Sequence, residues 1–160
     1  RTQSRCSPHD RSRRAFPASG SDEPMRYDTK IAIVVRDDLA TWQKLNVASF
    51  LSGGLVGTSP ELAGEAYRDA SDRFYGPLIR QPVLVFAASA AELTSALQRA
   101  QQRGVRPHLY TKELFATGND VDNRAAVAAV ATDALDLVGI GLHAERKEID
   151  KIIKGLKLHG

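Results

Sequence analysis

The chain has 160 residues, 42% of them hydrophobic and 26% charged, a balance that describes a folded domain with a real core and excludes a disordered polymer. The formal net charge is +3, from 22 basic and 19 acidic residues. Residues 1–24 hold five of the arginines and three of the acids, which leaves 17 basic against 16 acidic in the rest. The basic character therefore belongs to the tail, and a domain coated in positive charge for nucleic acid is excluded.

Residues 1–24 are rich in Arg, Ser and Pro and have little to bury, so they read as a disordered tail or an upstream extension ahead of Met25. Cys6, the one cysteine, lies there, which denies residues 25–160 an internal disulfide or a thiolate metal cage and fits a reducing, cytoplasmic setting. The tail lacks the apolar stretch of a secretory signal. No apolar run in the chain reaches the roughly 18 residues that span a bilayer, so no membrane partner is expected.

The domain begins with a β-branched run at residues 30–36 (KIAIVVR), read as a buried strand. Asp38 is placed to cap a helix starting near Leu39, with Trp42, Leu45, Ala48, Leu51 and Leu55 as its apolar stripe. Gly53 and Gly54 should weaken its end, and Gly57 with Pro60 marks a loop. Residues 65–68 (EAYR) and 73–75 (RFY) flank Asp69–Asp72 as a small hairpin. Residues 82–87 (PVLVFA) form a second strand. Ser89 and Glu92 make a capping box for a helix running to about Arg103 and stopped by Gly104. Residues 105–110 read as a third strand, short or at an edge because of Pro107. Asn119 or Asp120 caps a helix over residues 123–131. Residues 135–142 (LDLVGIGL) read as a fourth strand. The last helix, residues 144–156, places Ile149, Ile152, Ile153 and Leu156 inward and Lys147, Lys151, Lys154 and Lys157 outward. Strands alternating with helices imply one α/β domain, a three-layer α/β/α sandwich around a mixed, mostly parallel sheet of about four strands.

Three segments resemble the type II peptidyl-tRNA hydrolases. They are KIAIVVRDDLATWQK, PVLVFAASAAELTSALQRAQQRGV and LVGIGLHAERKEIDKIIKGLKLHG. The resemblance implies that family's fold and carries its helix lysine onto Lys44. Its glutamine, histidine, aspartate and threonine positions fall instead on Ala48, Leu51, Thr111 or Lys112, and Asp136. FYGPLIRQPVLVF and TKELFATGNDVDNRAAVAA resemble a sister group of the same fold, a domain of unknown function.

The candidate site residues follow from local chemistry. Lys44 sits in the first turns of a helix, where an ammonium is disfavoured unless it meets an anion or carboxylate. It is the candidate catalytic residue, for anion binding or proton transfer; the plainer reading is a surface lysine lying over the helix. Residues 117–124 (TGNDVDNR) gather Asn119, Asp120, Asn123 and Arg124 at a helix start, where they would orient a ligand and clamp its anion or merely cap the helix. Arg80, at the entrance to a strand, is a further anion ligand or the partner of a nearby acid. Tyr110 and Glu113 end the third strand, at the sheet edge where open α/β folds place ligands. His108 and His143 have no metal-ligand spacing, and Gly139-Ile-Gly141 lies inside a strand without the third glycine of a dinucleotide loop. Neither metal nor cofactor is expected.

Three functions are compatible with these residues. The first is a site for an anionic small molecule, hydrolytic if it is catalytic at all. The second is a peptidyl-tRNA hydrolase-like enzyme acting on an RNA-linked ester, as the resemblance implies, with RNA phosphates meeting the lysine face of the last helix. The third is a non-catalytic homodimer or partner-binding module, which an exposed apolar face on the first helix would favour.

Overall fold

The computed structural model describes residues 25–160. The expectations for residues 1–24 lie outside the described residues. Eleven helices and strands follow in order: β1 (Thr29–Arg36), α1 (Thr41–Thr58), β2 (Tyr67–Arg68), β3 (Phe74–Tyr75), β4 (Val83–Ala88), α2 (Ala90–Gln102), β5 (His108–Thr111), α3 (Asp120–Ala128), β6 (Leu137–Glu145), α4 (Arg146–Ile152) and β7 (Lys157–Leu158).

The main sheet has five strands in the order β5-β6-β1-β4-β7. Only β1 and β4 pair in parallel; β5 with β6, β6 with β1, and β4 with β7 are antiparallel. The sheet is thus mostly antiparallel, not mostly parallel. The reason lies in one connection. Alternation of strand and helix implies a parallel sheet only if every helix crosses the sheet. The chain leaving β5 visits α3 and returns to the end it left, where Lys112 N donates to Asp136 O at 2.9 Å. β6 is thereby reversed, and β7 with it.

β1 is buried along both faces, as a central strand requires: Ile31 to Val35 are all 1% exposed or less. Helices cover both faces of the sheet. On one, Val47, Leu51 and Leu55 of α1 pack on Ile31, Ile33, Val35 and Val138. On the other, Leu93, Ala96, Leu97 and Ala100 of α2 pack with Ile149 and Ile152 of α4 on Ala32, Val34, Ile140 and Leu142. The spacing of four along α1 and of three and four along α2 makes each a one-sided wedge.

The local signals fare unevenly. Ser89 and Glu92 exchange the expected pair of capping bonds, and Gly104 takes φ +66 where α2 ends. The hairpin is present as β2 and β3, with Asp72 at φ 65 in its turn. Asp38 does not cap α1; its carboxylate is drawn to Arg36 at 2.7 Å, and Ala40 is the capping position, its N–H donating to the Gln43 side chain. Gly53 and Gly54 do not end α1, which continues to Thr58. Gly54 instead allows close approach to β5, since a Cβ there would lie 3.0 Å from the His108 ring. Trp42 and Leu45 are not buried in the stripe: they are 61% and 64% exposed. The last helix is only seven residues long, so Lys154 and Lys157 leave the expected lysine face and the chain closes as edge strand β7.

Candidate functional site

The reversal at β5 leaves that strand at the edge of the sheet, and the segment after it folds back over α1. Lys112–Ala116 makes a short 3-10 turn, and α3 follows. Between this segment and α1 lies a cleft of about 450 Å³. Trp42, Asn46 and Phe50, one turn apart, form the α1 wall; Tyr110, Phe115, Thr117 and Asn123 face them. Four rings run in contact around it, two of the three contacts edge-on and one tilted. Trp42 meets Phe115 at 5.6 Å between centroids, Phe115 meets Tyr110 at 5.1 Å, and Tyr110 meets Phe50 at 5.8 Å. A second lobe of about 570 Å³ shares Phe50, Tyr110, Leu114, Asp120 and Asn123 and is otherwise mostly apolar, with Leu51, Leu109 and Val127.

The polar groups of the cleft have definite roles. Asn46 donates to the Tyr110 hydroxyl at 3.2 Å, so the phenol's own proton is free to be given to a guest. Burial raises the Tyr110 pKa, while the bond from Asn46 opposes it; the group stays a neutral donor at physiological pH. Thr117 Oγ1 donates to Leu114 O at 2.9 Å and is also bonded to Asn123. Its single proton is shared between the Leu114 and Asn123 carbonyl oxygens, which leaves the Asn123 amide N–H groups as donors. Asn119 caps α3 by accepting from Asp122 N and is thereby occupied.

These geometries sort the expected site residues. Tyr110, Asn119, Asp120 and Asn123 converge on the cleft, and Arg124 borders the second lobe, ion-paired with Asp120 across one turn of α3. Lys44 does not join them. Its Nζ lies 3.1 Å from His159 Nε2, and His159 is tied by its backbone N–H to Val85 of β4. Lys44 therefore sits toward the β4-β7 side of the sheet, and the cleft beside β5 at the other edge. Arg80 is exposed ahead of β4, at the opposite end of the strands, its main chain bonded to Leu62 O and Tyr27 Oη. Glu113 is exposed and lines neither lobe. Trp42, Asn46, Phe50, Phe115 and Thr117 were not among the sequence candidates. The signal for the first three was their spacing of four along α1, on a flank distinct from the buried residues.

A family model described as "Protein of unknown function (DUF2000)" matches residues 29–160. The chain belongs to this family. A solved structure of a protein of unknown function from Agrobacterium tumefaciens is similar at 46% identity and a TM-score of 0.82, covering 84% of this chain and 100% of that one. No curated protein matches the chain.

The DUF2000 match opens on the first residue of β1 and takes in every cleft residue. It also takes in the ion cluster at the end of β1. Arg36, 12% exposed in its side chain, pairs with Asp38 and with Asp136, each at 2.7 Å, and donates to Leu137 O. Burial opposes its charge, but the bonds and attraction of the two carboxylates outweigh that and raise its pKa. The hydroxyl of Thr111, buried at the β5 bulge opposite Leu137, has no partner among the described residues. Among the described residues no group of three or more His, Cys, Asp or Glu is placed to hold a metal ion. No helix among them is long and apolar enough to cross a membrane.

Proposed function

We propose that the protein binds a small, planar, largely uncharged ligand in the cleft between α1 and the segment joining β5 to α3. The supporting observation is the ring of Trp42, Phe50, Tyr110 and Phe115 around a concave site that also offers the Tyr110 O–H and the Asn123 amide N–H groups. Exposed aromatic rings in a cleft supply apolar contact, and a few convergent polar groups orient the guest. A volume of about 450 Å³ suits a fused-ring compound. An anionic ligand has weaker support, because Arg124 is the one arginine or lysine among the residues lining either lobe, it is paired with Asp120, and Lys44 and Arg80 lie elsewhere.

The type II peptidyl-tRNA hydrolase-like fold remains our reading of the chain, on its three resembling segments. Hydrolysis of an RNA-linked ester has less support. The Asp136 position carried over from that family is engaged by Arg36, and Lys44 is paired with His159.

Trp42 is the one tryptophan of the chain, so its fluorescence reports on the cleft. A screen of flat heterocycles, nucleosides and simple phosphates should yield a hit among the ring compounds that shifts this emission. Tyr110→Phe should weaken the hit by about 0.5–1.5 kcal/mol, the value of a neutral hydrogen bond, or roughly 2- to 12-fold. Hits confined to phosphates, or ring compounds whose affinity is indifferent to Trp42→Ala and Tyr110→Phe, would reject this site.

A further inference from the structure

The β2-β3 hairpin stands off the body of the domain. Every residue from 65 to 78 is exposed, and Tyr67, Phe74, Tyr75 and Leu78 are between 53% and 71% exposed. Such a hairpin is marginal in water on its own. Its charges are largely spent internally: Arg68 pairs with Asp72 at 2.7 Å and lies over the Phe74 ring, and Asp69 accepts from Ser71 N, Arg73 N and the Tyr75 hydroxyl.

The outward face of α1 continues this surface. Trp42, Leu45, Ser49, Gly53 and Val56 share it, and it carries no charged residue. A depression of about 380 Å³ joins the two parts, lined by Gly53 and Val56 of α1 and by Pro77 and Leu78 below the hairpin. A Cβ added at Gly53 or Gly57 would meet nothing within 4 Å, so another backbone can approach α1 closely there.

We infer that this face is a self-complementary interface through which two copies of the chain form a dimer. Three observations select a second copy as the occupant. The first is area. Trp42, Leu45, Tyr67, Tyr75 and Leu78 expose on the order of 600 Å², at roughly 200 Å² for each large side chain, and Phe74, on the opposite face of the hairpin, brings this to on the order of 700 Å² when a partner encloses the arm. That approaches the ~800 Å² per partner of a stable interface before any polar rim is counted. The second is charge. The hairpin charges outside these bonds, Glu65 and Arg73, are of opposite sign and the α1 part carries none, so the patch has no excess of one sign for a charged partner and can match its own copy. The third is shape. One chain carries both a projecting aromatic arm and a shallow apolar groove beside it, and a two-fold axis brings the arm of each copy to the groove of the other.

The experiment is sedimentation velocity on the full chain from about 1 to about 100 μM, with Phe74→Asp and Gly53→Glu as variants. The parent should sediment as a dimer. Each variant should raise the dissociation constant at least roughly 30-fold, the effect of losing a central contact. Gly53→Glu guards against misfolding as the cause, since its side chain enters open space and the melting curve of the diluted monomer should stay cooperative. A parent that is monomeric at about 100 μM overturns the inference. So does a dimer that neither variant weakens, because its interface then lies elsewhere.

Discussion

The contact between α1 and β6 passes through Gly139, and replacing that glycine tests why α1 lies where it does. A Cβ on residue 139 would sit 2.4 Å from Val47 Cγ1, 3.1 Å from Leu51 Cδ1 and 3.2 Å from the backbone oxygen of Val34. Carbon atoms pack at about 3.5–4.0 Å, and a valine on a helix has essentially one comfortable rotamer with which to yield. Gly139→Ala should therefore fall at the upper end of the overpacking range, about 3 kcal/mol, or a loss of roughly 9 °C in Tm for a domain of this size. Val47→Ala alone removes a fully buried side chain and should cost about 2 kcal/mol. Independent effects would sum to about 5 kcal/mol. The double variant should instead lose only about 3, because the new methyl enters the space the valine vacates; a coupling near 2 kcal/mol is within the range for residues in contact. Urea denaturation at constant m value measures all three. Additivity to within about 0.5 kcal/mol, or a Gly139→Ala protein as stable as its parent, would refute this account of the α1–β6 contact.

Burial depresses the His108 pKa below 6.5, with Arg106 adding to it and a bond to Gly54 opposing it. The unfolded chain then takes up a proton first as pH falls, so this contribution to stability is complete above about pH 6.5 and declines below it. His108→Gln should flatten the Tm profile below about pH 6.5, and an unchanged slope would remove His108 as its source. Arg36→Met should cost about 1–3 kcal/mol in chemical denaturation, less than a fully buried pair because Asp38 and Asp136 are 64% and 44% exposed; a neutral result would make the cluster a surface ornament. A chain beginning at Met25 should melt within about 2 °C of the full chain, and a larger loss would show that residues 1–24 dock on the domain.

Much of the local structure was legible because it is set by neighbours in sequence. The β-branched run of β1, the Ser89-Glu92 box, the stop at Gly104 and the turn at Asp69–Asp72 each rest on bonds within a few residues. Local competition could also mislead. Asp38 has the chemistry of a cap, but Arg36 two residues away holds its carboxylate more strongly than a helix end does. The pairing of Asn119, Asp120, Asn123 and Arg124 was likewise local, and those four do remain together.

What the sequence by itself determined is the inventory: an alternating series of strands and helices, an apolar face on the first and last helices, and a polar knot at the start of α3. Only the tertiary structure decided how that inventory is arranged. The sense of β6 depends on where the chain returns after α3, and no periodicity encodes a direction. Once β6 is reversed and lies between β5 and β1, β5 becomes an edge and its following segment closes over α1. That places Trp42, Asn46 and Phe50 in the cleft and leaves Lys44, two residues from Trp42 on the helix, on the far flank beside His159. A step of two residues turns a helix by about 200°, so side chains adjacent in the sequence came to face opposite edges of the sheet.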